Sequence, residues 1–147
     1  MIDIYVINLK ERIDRWHLLE RTFAKFRNIN LIRIEAVKYN PGFIGCSMSH
    51  IKCLEYAKKN NMDNILVIED DCVPYDDTTF EKRLIEFKNY LDENSDWDIF
   101  LGGTCKVTEA DVLGYLKLEN NYLLKINNGH MTHMIGYNKR VYDFLSI

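Results

Sequence analysis

The amino-acid sequence predicts an α/β fold with a mostly parallel central sheet and helices on both faces. Short runs rich in Ile, Val and Tyr alternate with longer segments whose apolar residues recur every three or four positions. The segment 65–68 is continuously apolar, as expected of a strand that is covered on both faces. Strands and helices that alternate in this way favour parallel pairing through crossover helices.

The first two strands and the helix between them are predicted from apolar spacing. Residues 2–9 form an apolar run, and residues 30–37 alternate between apolar and polar side chains, so both are predicted strands. The intervening helix is predicted over 12–26. Its apolar side chains share one face, and these are Trp16, Leu19, Phe23 and Phe26.

The later elements follow from the same patterns. A turn at Asn40-Pro41-Gly42 precedes a second helix predicted over 46–60, and residues 65–68 are the third strand. A third helix opens with capping-box spacing at 78–81, and the fourth strand spans 97–101. Shorter strand-like pieces surround Leu116, Leu123 and Met134, and a last helical stretch begins near Asn138.

Length and charge limit the classes of function. A chain of 147 residues predicts one domain. The formal net charge of −3 argues against a nucleic-acid partner, which requires a basic surface. The sequence enters a strand-like run directly at its start, so we expect a cytoplasmic protein, with peripheral contact at a membrane left open.

The run Glu69-Asp70-Asp71 is the strongest candidate for chemistry. It follows the third strand directly, and ligands of open α/β sheets bind outside the carboxyl ends of the strands. Three successive carboxylates repel one another unless a cation lies nearby, and Mg²⁺ and Mn²⁺ prefer oxygen ligands. The run therefore favours a divalent-metal site, with a solvated acidic turn as the alternative.

The segment Gly45-Cys46-Ser47-Met48-Ser49-His50 lies at the predicted start of the second helix. Free N–H groups at a helix N-terminus bind phosphate. Ser47 and Ser49 add hydroxyl donors, Gly45 permits close backbone approach, and His50 is a candidate donor to a phosphate oxygen. A capping serine and a core histidine are the commoner explanation of such a segment.

Asn8 and Leu9, with Arg12 and Arg15, form a third candidate group after the first strand. An arginine fork suits phosphate, and Asn8 is a candidate contact for a base or ribose. The alternative is a solvated first helical turn.

Two further features are weaker. In Gly129-His130-Met131-Thr132-His133, two histidines three positions apart offer a metal ligand, although such histidines are more often loop residues. The cysteines contain no CxxC pair, which argues against structural zinc, and we expect free thiols. A reactive thiolate is left open only at Cys46, because it lies at a predicted helix start. The four cysteines are Cys46, Cys53, Cys72 and Cys105.

In chain order, these segments resemble glycosyltransferase family 25, which includes bacterial lipooligosaccharide galactosyltransferases and collagen galactosyltransferase-like domains. The resemblance covers about Ile4 to Leu145. The blocks 44–50 and 65–71 are its most specific parts, and Ile135 departs from it because the family pattern has an aromatic there. The other matching segments are 6–10 with Arg12, Asp14 and Arg15, then 97–103, then Thr132, His133 and 138–140.

The resemblance implies a GT-A-like fold and an inverting transfer of a hexose, most commonly galactose, from a UDP-sugar. The implied acceptor is a glycan, lipid-linked or protein hydroxyl, and the implied cofactor is Mn²⁺ or Mg²⁺. We expect a single catalytic domain over 1–147, C-terminally shortened, with no general base identified and a homodimer left open. The implied metal ligands are Glu69, Asp71 and His133. The implied donor contacts are Asn8, Leu9, Arg12, Arg15, Gly45, Ser49, His50, Asp70, Gly102 and Gly103.

Two other functions compete with this one. The first is a catalytically silent module of the same fold that binds a nucleotide sugar or glycan and neither transfers nor hydrolyses it. The second is a nucleotidyltransferase-like enzyme, which requires a glycine-rich phosphate loop after the first strand. Leu9-Lys10-Glu11-Arg12 contains no glycine, which argues against the second.

Overall fold

The structure is a computed structural model that describes residues 1–75, 78–103, 107–127 and 133–145. In these residues the strands are Ile2–Asn8 (β1), Ile29–Glu35 (β2), Asn64–Glu69 (β3), Ile99–Leu101 (β4), Val112–Lys117 (β5), Tyr122–Ile126 (β6) and Met134–Asn138 (β7). The α-helices are Ile13–Phe23 (α1), Gly42–Lys59 (α2), Phe80–Glu93 (α3) and Tyr142–Leu145 (α4). Short 3-10 turns occupy Glu109–Asp111 and Lys139–Val141. The predicted alternation of strands and helices is confirmed through β4.

The central sheet contains five strands in the order β2-β1-β3-β7-β4. β1 pairs in parallel with β2 and β3. β7 pairs antiparallel with both β3 and β4. The predicted α/β class is therefore confirmed, but the sheet is mixed because β7 inserts between β3 and β4. β5 and β6 form a separate antiparallel hairpin.

Gly136 permits the insertion of β7. A Cβ on this residue would lie 3.0 Å from Leu66 Cδ2 and 3.1 Å from Phe100 Cβ, on the strands to either side. These contacts are tighter than ordinary van der Waals packing. A larger residue at this position would therefore push against both neighbouring strands.

Two clusters of buried side chains pack against the sheet, and they use alternate residues of β1. One cluster contains Ile4 and Val6 together with apolar residues of α1 and α3. The other contains Tyr5 and Ile7 together with apolar residues of α2 and α4. Burial of each large aliphatic or aromatic side chain contributes roughly 1.5–3 kcal/mol, so these clusters hold the helices onto the sheet. The helix residues are Leu19 and Phe23 of α1, Leu84 and Leu91 of α3, Leu54 and Ala57 of α2, and Tyr142 of α4.

The strand directions bring the predicted site segments to one edge of the sheet. β1 and β3 are parallel, so Asn8 and Glu69 end at the same edge. β7 runs the other way and its first residue, Met134, pairs with Ile68. The preceding residue, His133, therefore lies at this edge, close enough to Glu69 to interact with its charge. β4 is antiparallel to β7, so Gly102 and Gly103 also follow their strand at this edge.

The helices differ from the predictions in their bounds. α2 begins at Gly42, a full turn before the predicted start at Cys46, and Pro41 precedes it in an extended conformation. α1 ends at Phe23 rather than at Phe26. No helix within the described ranges combines the length and the apolar character needed to cross a membrane.

Candidate active site

A pocket of about 210 Å³ opens where β1 and β3 end. It is lined by six of the residues predicted to bind the donor or the metal, which are Leu9, Arg12, Arg15, Ser49, Glu69 and Asp70. A larger pocket of about 440 Å³ lies at the opposite edge, around Met1, Asn64 and Lys88. It contains none of the predicted residues. We take the smaller pocket as the site, because open α/β sheets bind ligands at the carboxyl ends of their strands.

The turn after β1 is fixed by bonds to its backbone. Arg12 donates its backbone N–H to the carbonyl of Leu9 at 2.9 Å. Arg33 of β2 donates through Nη2 to the carbonyls of Leu9 and Lys10, both at 3.2 Å. The turn therefore presents Arg12, and one helical turn later Arg15, to the pocket.

Asp70 is the centre of a bonded group at the pocket wall. Arg15 Nη1 donates to Asp70 Oδ1 at 2.8 Å, and Asn8 Nδ2 donates to Asp70 Oδ2 at 2.7 Å. The side chain of Asp70 is only 11% exposed, compared with 39% for Arg15. Two charge-assisted bonds therefore compensate the partial burial of this carboxylate.

Asn8 does not line the pocket. It is 1% exposed, and its amide nitrogen donates both to Asp70 and to the carbonyl of Arg12 at 3.0 Å. Its Oδ1 is buried without a partner among the described residues. These contacts give Asn8 a positioning role for Asp70, whereas its contact with a base or ribose stays a prediction.

Basic side chains around the mouth of the pocket are also paired. Arg12 makes a two-bond ion pair with Asp14, at 2.9 and 2.8 Å. This pair holds the pKa of Asp14 at about 2. Lys38, which lines the pocket from the loop after β2, pairs with Glu11.

Gly45 and Ser49 join α2 to the loop after β2. The Ser49 hydroxyl donates to the carbonyl of Gly45 at 2.6 Å and accepts the backbone N–H of Val37 at 2.8 Å. A Cβ on Gly45 would lie 2.6 Å from the carbonyl oxygen of Val37. Gly45 is therefore needed for close approach of this loop. The segment 45–50 lies within the helix, so the prediction that it supplies free N–H groups at the helix start is wrong.

His50 lies one turn after Cys46 on α2. Its Nδ1 is 3.0 Å from the hydroxyl of Tyr137 on β7, and burial lowers the pKa of its imidazole. Tyr137 was not among the residues predicted from the sequence. The one signal that could have marked it is that it is an aromatic residue two positions after Ile135, where the family resemblance expects an aromatic.

The Glu69 side chain lies beside Cys46 and His50 of α2. The Cys46 thiol donates to Glu69 Oε1 at 4.0 Å. Burial and the charge of Asp71 raise the pKa of Glu69, against a lowering effect of His133. Burial and the charges of Glu69 and Asp71 also raise the pKa of the Cys46 thiol. The hypothesis of a reactive thiolate at Cys46 is therefore not supported.

The remaining predicted residues within the described ranges do not line the pocket. Asp71 is exposed and 3.9 Å from Arg15, and His133 is exposed at the start of β7. Gly102 donates its N–H to the carbonyl of Met134 at 2.9 Å, and a Cβ there would meet the Met134 side chain. Gly103 has open space around it. The predicted contacts at 129–132 and Cys105 lie outside the described residues.

Two comparisons with known proteins match this chain. The family model described as glycosyltransferase family 25 (LPS biosynthesis protein) matches residues 40–110. A protein of Haemophilus influenzae named "Putative glycosyltransferase" is 43% identical over 54 residues, which are 37% of this chain. The matched segment spans 19% of that relative's length.

The family match includes the α2 segment with Cys46 and His50, the acidic run, and Gly102 and Gly103, but not Asn8, Arg15 or His133. The pocket brings residues inside and outside the matched range together. It is lined by Cys46 and Glu69 from inside that range and by Arg12 and Arg15 from outside it. The family match and the Haemophilus relative together support glycosyltransferase family 25 as the family of this chain.

Proposed function

We propose that this chain transfers a hexose, with galactose as the first candidate, from a UDP-sugar to a hydroxyl acceptor with inversion. The proposal takes the pocket at the ends of β1 and β3 as the donor site. It also takes the fold as GT-A-like with helices on both faces, which the two side-chain clusters on alternate β1 residues support.

One observation carries the proposal, namely that chemically matched residues from three separate segments line one pocket. Arg12, Arg15 and Lys38 supply cationic groups, and Glu69 and Asp70 supply carboxylates. Guanidinium groups suit the oxygens of a diphosphate. In the proposed complex Arg15 and Asp70 remain paired, and the face of the guanidinium that Asp70 leaves free binds the donor phosphate.

The remaining acidic groups are the proposed site of a divalent ion. Glu69 is half-buried beside Asp71 and Asp70, and its pKa is raised first by burial and then by the repulsion of these neighbouring charges. A cation bound there would relieve this repulsion. Glu69, Asp71 and His133 are the proposed residues for Mn²⁺ or Mg²⁺. When bound, such an ion neutralises negative charge on the departing diphosphate.

A silent donor-binding module is the second candidate. Both oxygens of Asp70, the middle acid of the run, are bonded within the protein to Arg15 and Asn8. This arrangement keeps the pocket formed and withdraws one carboxylate from metal binding. The silent module would bind UDP without releasing it from a UDP-sugar.

Release of UDP from a panel of UDP-sugars separates the two candidates. We expect Mn²⁺-dependent release, fastest with UDP-galactose and abolished by a chelator. Asp71→Asn should slow release by roughly 10²-fold, the order of effect for one group that stabilises developing charge. Asp143→Asn is the matched control, since Asp143 is an exposed aspartate on α4 that pairs with Lys58. It should leave the rate unchanged.

Two results would change the proposal. Binding of UDP without any release would favour the silent module. If Asp71→Asn and Asp70→Asn both release UDP at the wild-type rate, the acidic run has no part in the reaction.

A further inference from the structure

Cys46, His50 and Glu69 form a compact group of three different ligand types. One ligand atom from each residue lies within 4.8 Å of the other two. Within the described ranges, no other three His, Cys, Asp or Glu residues meet this condition. Cys46 and His50 are four residues apart on α2, so they lie on the same face of the helix, and Glu69 approaches from the end of β3.

We propose that Cys46 Sγ, His50 Nε2 and a Glu69 carboxylate oxygen bind a thiophilic divalent cation of the Zn²⁺ class. This site shares Glu69 with the oxygen-rich set of Glu69, Asp71 and His133 and differs from that set in Cys46 and His50. It rests on the geometry of the described residues and not on the proposed transferase activity.

The distances fit such an ion. Zinc lies about 2.3 Å from sulfur and about 2.1 Å from oxygen, so two such ligands of a tetrahedral ion are roughly 3.6 Å apart. The Cys46 sulfur is 4.0 Å from Glu69 Oε1. A small rotation of either side chain closes this difference. Three protein ligands leave a fourth position for water or another group.

Tyr137 supplies the support that a histidine ligand needs. A metal-binding imidazole normally bonds its second nitrogen to a neighbouring polar group, which fixes the ring. The Tyr137 hydroxyl lies 3.0 Å from His50 Nδ1, and the two rings are in edge contact. Nε2 is therefore the nitrogen for the ion.

The ligand types select the metal. A thiolate and an imidazole favour Zn²⁺ and Co²⁺, whereas carboxylates and water favour Mn²⁺ and Mg²⁺. Glu69 belongs to both groups, so one carboxylate cannot serve both ions fully at once. The two sites are distinguished by their other members, Cys46 and His50 in one and Asp71 in the other.

Absorption spectroscopy of the purified chain with Co²⁺ tests the site directly. We expect a thiolate-to-cobalt charge-transfer band and visible bands of tetrahedral cobalt at one equivalent. One equivalent of Zn²⁺ should remove them, and the same amount of Mn²⁺ should not. Tyr137→Phe should weaken cobalt binding roughly 10-fold or more.

Variants assign the signal to particular residues. Cys46→Ser should abolish the charge-transfer band. His50→Gln, which retains the Cys46 thiol, should weaken the binding of Co²⁺. Should Cys46→Ser lose its cooperative melting transition, His50→Gln decides the matter. The exposed His17→Gln is the control that should keep the wild-type spectrum.

Three results would overturn the site. The first is wild-type protein that shows no charge-transfer band with Co²⁺. The second is a band that survives in folded Cys46→Ser or is unchanged in His50→Gln. The third is Mn²⁺ that displaces cobalt as well as Zn²⁺ does.

Discussion

Asp70 joins three parts of the chain at the residue scale. Its carboxylate bonds Arg15 on α1 and Asn8 at the end of β1, while Asp70 itself follows β3. The side chain is 11% exposed, so these bonds are only partly screened by water. The pocket wall therefore depends on this one acidic side chain.

Replacing Asp70 tests that dependence. We expect Asp70→Asn to lower the free energy of unfolding by about 1–2 kcal/mol, because Arg15 loses its charged partner and Asn8 faces a second amide. Urea denaturation measures the change. Asp14→Asn is the matched control, since Asp14 also accepts hydrogen bonds from an arginine but its side chain is 64% exposed. Equal changes in the two variants would contradict the role given to Asp70.

The residue types of the site could be predicted from the sequence, but their mutual bonds could not. Asn8 and Arg15 were predicted as donor contacts because their side chains suit a nucleoside and a phosphate, whereas Asp70 was a donor contact implied by the family resemblance. Their separations of 62 and 55 positions contain no signal for pairing. Tyr137 was not predicted as a partner of His50, because only the position of β7 brings them together.

Helix α2 fixes the floor of the pocket at the element scale. Gly45 lets the loop after β2 approach the helix, and Ser49 bonds that loop. Both residues were predicted as donor contacts, but their packing roles explain the presence of a glycine and a serine at these positions without a ligand. The predicted start of α2 was wrong by one turn. The turn signal at 40–42 predicts a loop, but the helix already begins at Gly42.

Gly45→Ala tests this packing. The added methyl would overlap the Val37 carbonyl at 2.6 Å, so we expect the variant to lose about 1–3 kcal/mol of unfolding free energy. Gly42→Ala lies in the same helix with nothing within 4 Å of the new Cβ, so it should be neutral or slightly stabilising. Denaturation of both variants decides the matter. A tolerated Gly45→Ala would show that the loop can move away at little cost.

At the scale of the whole molecule, the candidate site lies at the carboxyl edge of β1 and β3, where the α/β pattern predicts a ligand site. The order of strands beyond β3 could not be predicted, because the short apolar piece around Met134 indicates a strand without indicating its neighbours. Inserted antiparallel, β7 brings His133 beside Glu69 and Tyr137 beside His50. The account thus combines a family match over residues 40–110 with a pocket that also draws on the turn after β1.

A thermal shift of the purified chain with UDP and UDP-sugars, each with Mn²⁺ and with chelator, tests the proposed donor pocket most directly. A ligand at about 100 times its dissociation constant adds roughly 2.7 kcal/mol, and each kcal/mol raises the Tm by about 2–4 °C at this chain length. We predict a metal-dependent rise of several degrees with UDP, largest with UDP-galactose among the sugars. An unchanged Tm with every nucleotide, with or without metal, would contradict a donor site in this pocket.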